Sequence, residues 1–150
     1  MKLRHLHDWD LSPTEAREVQ DEMVGRLELT SARRLVLNPG DLVMGVDNSY
    51  LETAAATTAF AAAVVMTWPD LEIVEVRTAT KPVTFPYIPG LLTFRELPVL
   101  IEALEQVERD PALIFADGPV SRTRAGSALP PIWDFWPPHR RSASPSDRCG

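Results

Sequence analysis

The sequence predicts an α/β domain that is followed by a tail of different composition. Three observations predict this: segments rich in β-branched residues between turns, two stretches with apolar residues at helical spacing, and a shift to proline, serine and arginine after residue 118. The chain has 150 residues, 45% of them hydrophobic and 24% charged, as in soluble single domains. We therefore assign residues 1–118 to the folded body and 119–150 to the tail.

A first helix is predicted from Ser12. Ser12 can cap it, Pro13 suits the first helical position, and Glu15 completes a capping box with Ser12. The helix is expected to run to about Leu29. Its apolar stripe would consist of Ala16, Val19, Met23 and Leu27.

Strands are predicted for the middle of the chain. Residues 42–47 form an apolar run that ends at Asp47, so we expect a strand to end there. Residues 57–67 fit a strand or a helix on periodicity alone. Because residues 68–70 indicate a turn and residues 71–78 are rich in β-branched side chains, we favour a hairpin of two strands.

A second helix and a last strand complete the body. The apolar spacing predicts an amphipathic helix over residues 97–108, and Glu96 would lie at its start. Its stripe consists of Leu97, Leu100, Ile101, Leu104 and Val107. Residues 113–116 are continuously apolar, as is typical of a strand buried on both faces, and the run ends at Asp117.

Charge and cysteine content exclude several classes of protein. The net charge of −6 argues against a basic nucleic-acid coat, but not against a nuclease whose metal site needs carboxylates. The single cysteine excludes an internal disulfide and an all-cysteine zinc site. No secretory signal and no apolar run of membrane-spanning length is visible, so we expect a cytoplasmic protein without membrane contact.

Three carboxylates are candidates for a site. Asp47 and Asp117 each end a predicted strand, where sites of open α/β sheets gather, and Mg²⁺ prefers such oxygen ligands. Taken singly, each residue also has a structural role open to it. An aspartate at a strand end can form a turn, and Glu96 can form a capping box with Thr93.

Three segments resemble the endonuclease V family of repair nucleases, which nick DNA near deoxyinosine. They are Val46–Tyr50, Phe85–Glu96 and Ala116–Gly118, and the resemblance covers roughly residues 5–118. It implies an RNase H-like fold, a mixed five-stranded sheet flanked by helices, with the C-terminal part of the fold missing here.

The resemblance also implies a chemistry. Asp47 and Asp117 resemble the family's Mg²⁺ ligands, with Mn²⁺ as a substitute ion, and Glu96 resembles its third catalytic carboxylate. The implied reaction is metal-assisted hydrolysis of the second phosphodiester 3′ to deoxyinosine. The implied partner is inosine-containing DNA, with single-stranded nucleic acid or RNA as further substrates, and the implied state is a monomer.

The segment Pro86-Tyr87-Ile88-Pro89 resembles the family's DNA-binding wedge. Two prolines stiffen the loop, and the Tyr87 ring could stack where a flipped base has left the helix. The alternative is a proline-stiffened turn in which Tyr87 is a half-buried packing residue.

The tail departs from the family after Gly118. The family continues with Ala-His-Pro-Arg, then a Gly-x-Ala-x-His-Leu-Gly helix and a Gly-Val-Ala-Lys segment, and none of these occurs in frame. Codons shifted by one base allow all three, in that order, within residues 121–125, 127–136 and 141–146.

We therefore predict that residues from about 119 onward are an out-of-frame translation that does not pack. The family's catalytic His and Lys then have no counterpart. The alternative function is a catalytically dead remnant that at most binds nucleic acid.

Overall fold

The computed structural model describes residue 3, residues 7–24 and residues 36–116. The predicted tail and its frameshift, and the predicted end of the first helix, lie outside these residues and stay predictions. The elements are α1 (Pro13–Val24), β1 (Leu42–Glu52), β2 (Thr57–Thr67), β3 (Ile73–Pro82), α2 (Thr93–Glu105) and β4 (Leu113–Ala116). Neither described helix is long and apolar enough to cross a membrane.

The strands form one mixed sheet in the order β3-β2-β1-β4. The β1–β2 and β2–β3 pairs are antiparallel, and β4 runs parallel to β1. The predicted α/β class and the hairpin are confirmed, and residues 57–67 are a strand. The described residues thus supply four strands of the five that the resemblance implies.

The first helix begins as the sequence predicts. The Ser12 backbone N–H donates to Oε2 of Glu15 at 2.8 Å, and the Glu15 N–H donates to Ser12 Oγ at 3.4 Å, which completes the capping box. These bonds with Ser12 lower the pKa of Glu15. Ala16 and Met23 are buried and Val19 is half-buried, so the described part of the stripe is confirmed.

The prediction that the first strand ends at Asp47 is wrong. β1 continues to Glu52, because residues 48–52 pair with residues 57–61 of β2. The turn between them is closed by the Thr53 N–H, which donates to the Ala56 carbonyl at 3.0 Å. A polar residue ends an apolar run but does not end a strand that still has a pairing partner.

The α2 helix covers one face of the sheet, the covered face. The five residues of its predicted stripe are all buried, but the predicted bounds of 97–108 are wrong: the helix begins at Thr93 and ends at Glu105, so Val107 packs from the segment after it. They pack on Met44 and Val46 of β1, the alternate residues Ala59–Val65 of β2, and Ile114 of β4. A smaller cluster of Ala16, Phe85, Leu91 and Phe94 joins α1 to the start of α2.

Neither of these two clusters covers the opposite face of the sheet, which we call the open face. Its solvent-accessible apolar side chains include Leu51, Phe60, Ala62, Val64, Val74, Val76 and Phe115, whereas Val43 on the same alternation is fully buried. The prediction that β4 is buried on both faces is therefore wrong. Ile114 is buried under α2, whereas Phe115 on the open face is 55% exposed.

A buried carboxylate ties β3 to the segment that follows α2. Glu75 accepts the N–H groups of Glu108 at 2.8 Å and Arg109 at 3.0 Å, and pairs with Nε of Arg77 at 3.0 Å. Burial raises the pKa of Glu75, but the two N–H donors and Arg77 outweigh it, so that the pKa is lowered. The ionised form of Glu75 therefore contributes to stability.

Candidate functional site

Asp47 lies in the middle of β1, exposed, on the open face. It is opposite Ala62 of β2, and with Gly45, Ala62, Val64 and Phe115 it lines a shallow depression. Its Oδ1 accepts the backbone N–H of Asn48 at 2.8 Å, which fixes the carboxylate against its own strand. Small neighbours leave open space in front of it.

Asp117 lies outside the described residues, and its predicted role stays a prediction. The described β1–β4 ladder runs from Val43–Leu113 to Val46–Ala116. Its last pair consists of the residues that immediately precede Asp47 and Asp117 in the sequence.

Glu96 lies half-buried in the first turn of α2. The capping alternative for it is wrong: the cap position is Leu92, which makes no side-chain cap hydrogen bond, and Thr93 is a buried helical residue. Glu96 is instead a neighbour of Tyr50. Burial, together with the negative charge of Glu96, raises the pKa of Tyr50 to about 12, against the opposing charge of Arg95.

The pleat of β1 separates these groups. Asp47 lies on the open face, whereas Asn48 and Tyr50 lie on the covered face, where Asn48 Nδ2 donates to Tyr50 Oη at 3.1 Å. Among described residues, β4 pairs with β1 only as far as Val46.

The described residues contain no cluster of three His, Cys, Asp or Glu side chains that could hold a metal ion. Of the three predicted carboxylates, two are described: Asp47 on the open face of β1, and Glu96 in the first turn of α2, near Tyr50.

Arg95 connects β1 to Phe85, the residue that precedes the Pro86–Pro89 segment. Its Nη2 donates to Glu52 Oε1 at 3.2 Å, its Nη1 donates to the Phe85 carbonyl at 3.3 Å, and its Cζ lies 5.1 Å from the centre of the Tyr50 ring. Its side chain is only 11% exposed. The sequence analysis missed this role. A signal was present, because a cation in the first turn of a helix is unfavourable unless a specific partner holds it.

The Pro86–Pro89 segment runs into a tight turn. The Leu91 N–H donates to the Ile88 carbonyl at 3.0 Å, and Gly90 has a φ of 87°. Proline at the second position and a positive φ at the third define a type II turn. The Gly90 carbonyl accepts Nε2 of Gln20 at 3.0 Å, which attaches the turn to α1.

Tyr87 projects from this segment. It is 70% exposed, whereas Phe85 and Leu91 on either side are buried and Ile88 packs against the same cluster. The half-buried packing role, the alternative for Tyr87, does not fit this exposure. An exposed ring on an anchored, proline-stiffened loop can stack on another flat group.

Comparisons with known proteins agree on one family. The family model for endonuclease V matches residues 21–121. The chain is similar to endonuclease V of Xylella fastidiosa, with 44% identity over 110 residues, 73% of this chain and 45% of that protein. The crystal structure of endonuclease V from Streptomyces avermitilis superimposes with a TM-score of 0.62 at 39% identity, over 79% of this chain and 50% of that one.

A third likeness concerns the fold alone. Endonuclease V of Ciona intestinalis, solved in complex with a 24mer DNA containing an inosine followed by a ribo-adenosine, gives a TM-score of 0.58 at 24% identity, over 70% of this chain and 45% of that one. The chain spans about half the length of the curated relatives it matches.

Proposed function

The chain belongs to the endonuclease V family, and on that premise we propose that it is a repair endonuclease that hydrolyses the second phosphodiester 3′ to deoxyinosine. The observation that supports the proposal is the parallel β1–β4 ladder, whose last described pair, Val46–Ala116, directly precedes Asp47 and Asp117 in the sequence. Two aspartates at adjacent strand positions are a suitable anchor for cation-assisted hydrolysis of a phosphodiester.

Asp47 and Asp117 would hold Mg²⁺, with Mn²⁺ as a substitute. The donor chemistry fits, since both ligands are carboxylates and the Asp47 carboxylate is exposed and held by the Asn48 N–H. When bound, the cation would lower the pKa of an attacking water and stabilise the leaving 3′ oxygen.

Glu96 would act as the third catalytic carboxylate, near Tyr50 of β1. The raised pKa of Tyr50 means that its hydroxyl keeps its proton at neutral pH, so the neighbour of Glu96 is neutral. A carboxylate at this position could accept a proton from a water molecule. Arg95 would act as a positioning residue for this edge through Glu52 and the Tyr50 ring.

The Pro86-Tyr87-Ile88-Pro89 segment would act as the DNA-binding wedge. The exposure of Tyr87 and the burial of Phe85 and Leu91, which anchor the loop, support this role. Stacking of an aromatic ring on a base contributes roughly 1–3 kcal/mol. Exposed Tyr87 could fill the gap that an extruded hypoxanthine base leaves in the duplex.

The proposed partner is inosine-containing DNA, with single-stranded nucleic acid or RNA as further substrates. The Ciona intestinalis relative, which binds inosine-containing DNA in its crystal structure, supports this choice. We further propose a monomer in the cytoplasm, without membrane contact.

One observation favours a second candidate, a catalytically dead remnant that at most binds nucleic acid. The chain spans about half the length of its relatives. The in-frame sequence after Gly118 also lacks the histidine and lysine motifs expected from the resemblance.

A nicking assay separates the two candidates. The 150-residue chain and a frame-restored gene product are incubated with inosine-containing and normal duplexes, in Mg²⁺ and in EDTA. Asp47→Ala removes a proposed ligand, and Asp70→Ala in the exposed β2–β3 turn is the matched control.

Inosine-specific nicking that disappears in EDTA and in Asp47→Ala, but persists in Asp70→Ala, supports the endonuclease. If only the frame-restored product nicks, the 150-residue chain is the remnant. Full activity of Asp47→Ala, or in EDTA, contradicts the assignment.

A further inference from the structure

The Pro86–Pro89 segment is held at both of its ends by side chains of the two helices. Before the segment, the Phe85 carbonyl accepts Nη1 of Arg95 at 3.3 Å. After it, the Gly90 carbonyl accepts Nε2 of Gln20 at 3.0 Å. Arg95 belongs to α2, whereas Gln20 belongs to α1 and lies 70 positions before Gly90 in the chain. Two helices that are distant in the sequence therefore fix the ends of this loop.

The loop depends on such outside contacts because it has few backbone donors of its own. Proline has no N–H, so only Tyr87 and Ile88 of the four residues can donate a backbone hydrogen bond. The Ile88 carbonyl accepts the Leu91 N–H, and the Ile88 side chain packs against the smaller cluster. The direction in which the exposed Tyr87 ring projects is then set by how this turn is attached to the body.

One peptide unit both closes the turn and attaches it to α1. The Gly90–Leu91 peptide donates its N–H to the Ile88 carbonyl at 3.0 Å, and its own carbonyl accepts the Gln20 amide at 3.0 Å. A glycine backbone can adopt many conformations, and a hydrogen bond to its carbonyl restricts them. Gln20 therefore holds the plane of the peptide that closes the turn.

Gln20 occupies a position in α1 that otherwise suits an apolar side chain. It follows Ala16 by four residues and precedes Met23 by three, and both of these residues are buried, so Gln20 lies on the same stripe of the helix. It is half-buried there. A polar group in such a place lowers stability unless it has a hydrogen-bond partner. The Gly90 carbonyl supplies a partner for the amide N–H.

We propose that Gln20 is a positioning residue for lesion recognition: through the Gly90 carbonyl it sets the direction in which the Tyr87 ring meets the stacked bases of DNA. This role rests on the proposed function, in which Tyr87 fills the gap that an extruded base leaves. A ring stacks on a base only when the two planes face each other, so a turn that tilts would misdirect it. Helix α1 thereby contributes to the recognition of inosine, although none of its residues is a candidate for the chemistry.

A double-mutant cycle on the full 150-residue chain tests this role. Fluorescence anisotropy measures binding to a duplex with one deoxyinosine, to the normal duplex and to the inosine single strand, without divalent cations so that no strand is cut. Tyr87→Ala should weaken binding to the inosine duplex about fivefold or more, as expected for the loss of one base–aromatic stack. Gln20→Met keeps the length of the side chain but removes its donor, and should weaken the same binding about threefold or more, as part of that stacking contribution. Neither change should cause a comparable loss on the single strand, where no gap in a stack has to be filled.

The two changes should not add, because Gln20 acts through Tyr87. In the Tyr87→Ala background, Gln20→Met should have little further effect on binding to the inosine duplex. Gln106→Met is the matched control, since Nε2 of Gln106 also donates to backbone carbonyls, those of Thr78 at 3.2 Å and Glu102 at 3.0 Å, at the other end of α2. This control should leave the preference for inosine unchanged.

Hydrogen exchange followed by mass spectrometry tests the anchor without DNA. Gln20→Met should speed exchange of the Leu91 N–H, and Gln106→Met should not. Circular dichroism shows that each variant folds, and Gln20→Glu, which keeps the size and polarity but lacks the N–H donors, is a second variant with the same expected results. Unchanged exchange, additive losses in the cycle, or a preference for inosine that Gln20→Met leaves intact overturns the role of Gln20. A wild-type chain without any preference for the inosine duplex instead overturns the proposed function, and this role with it.

Discussion

The covered and open faces of the sheet are built from similar side chains, yet only one is buried. On β2, Ala61, Ala63 and Val65 lie under α2, and their neighbours Ala62 and Val64 point to the open side with access to solvent. The same strand therefore contains a core and a surface made of the same residue types. What differs is the element that lies above them.

This difference shows how to interpret apolar surface in this chain. Phe115 and Val76 are exposed because nothing in the described residues packs on them, not because their positions are polar in character. Tyr87 is exposed for another reason, since it projects from an anchored turn whose own neighbours are buried. The first exposure reflects a face that no described residue of the two core clusters covers, and the second a ring held in solvent by an anchored loop.

The largest expected effect comes from the covered face. Leu104→Ala should lower the free energy of unfolding by about 2–5 kcal/mol, because it removes a fully buried side chain from the α2 interface. Phe115→Ala on the open face should change it by about 0.5 kcal/mol or less. Urea unfolding followed by circular dichroism measures both, and equal losses would mean that Phe115 is buried in solution.

A second expected effect lies at the margin of the covered face. Glu75→Gln should lower the free energy of unfolding by about 1.5–3 kcal/mol at pH 7, because hydrogen bonds to an ionised group are lost. Glu102→Gln is the matched control. It breaks only the exposed pair with Lys81 and should lower stability by less than about 1 kcal/mol.

The pH dependence of Glu75 sharpens this test. Its pKa is lower in the folded protein than in the unfolded chain, so its contribution is present above the ordinary value of about 4.3 and is lost as the pH falls below it. The stability difference between wild type and Glu75→Gln should therefore shrink as the pH falls from about 5 to about 3. A difference that stays constant with pH would contradict the ionised role.

Features that depend on neighbouring residues in the chain could be predicted from the sequence. Features that depend on strand pairing, or on which element packs over a sheet face, could not. The Ser12–Glu15 capping box and the α2 stripe depend on residues within one or two turns, and both are confirmed. The end of β1 depends on its pairing with β2. The exposure of Phe115 depends on the absence of a described residue that packs on it. Local rules also misplaced the cap of α2, because the chain enters that helix one residue before Thr93.

The same distinction applies to the candidate site. Family motifs singled out Asp47, Glu96 and the Tyr87 segment, and these assignments stay predictions. The motif alone did not indicate that Arg95 contacts both Glu52 and the Phe85 carbonyl. The Arg95–Glu52 contact joins residues 43 positions apart in the chain, and no local sequence pattern encodes it.

A third prediction compares two glycines. Gly90→Ala should lower the free energy of unfolding by about 1–2 kcal/mol, because an added Cβ opposes the φ of 87° that the type II turn requires. Gly45→Ala on the open face should not lower it, since the nearest atom to its new Cβ would be Met66 Cε at 3.9 Å. Thermal unfolding of both variants measures the contrast, and a costly Gly45→Ala would show that the open face is crowded.

The smallest expected effect is the sharpest test of the two faces. Val76→Thr keeps the shape and the β-branched side chain and places a hydroxyl on the open face, where water can solvate it. Its effect on the free energy of unfolding should stay within about 0.5 kcal/mol. Val65→Thr makes the same chemical change on the covered face, where Val65 is fully buried, and should cost about 1–3 kcal/mol because the hydroxyl loses water without gaining a partner. Urea midpoints measured side by side give the comparison directly. If Val76→Thr costs as much as Val65→Thr, some part of the same chain already covers the open face, and that face is then a second core of the chain.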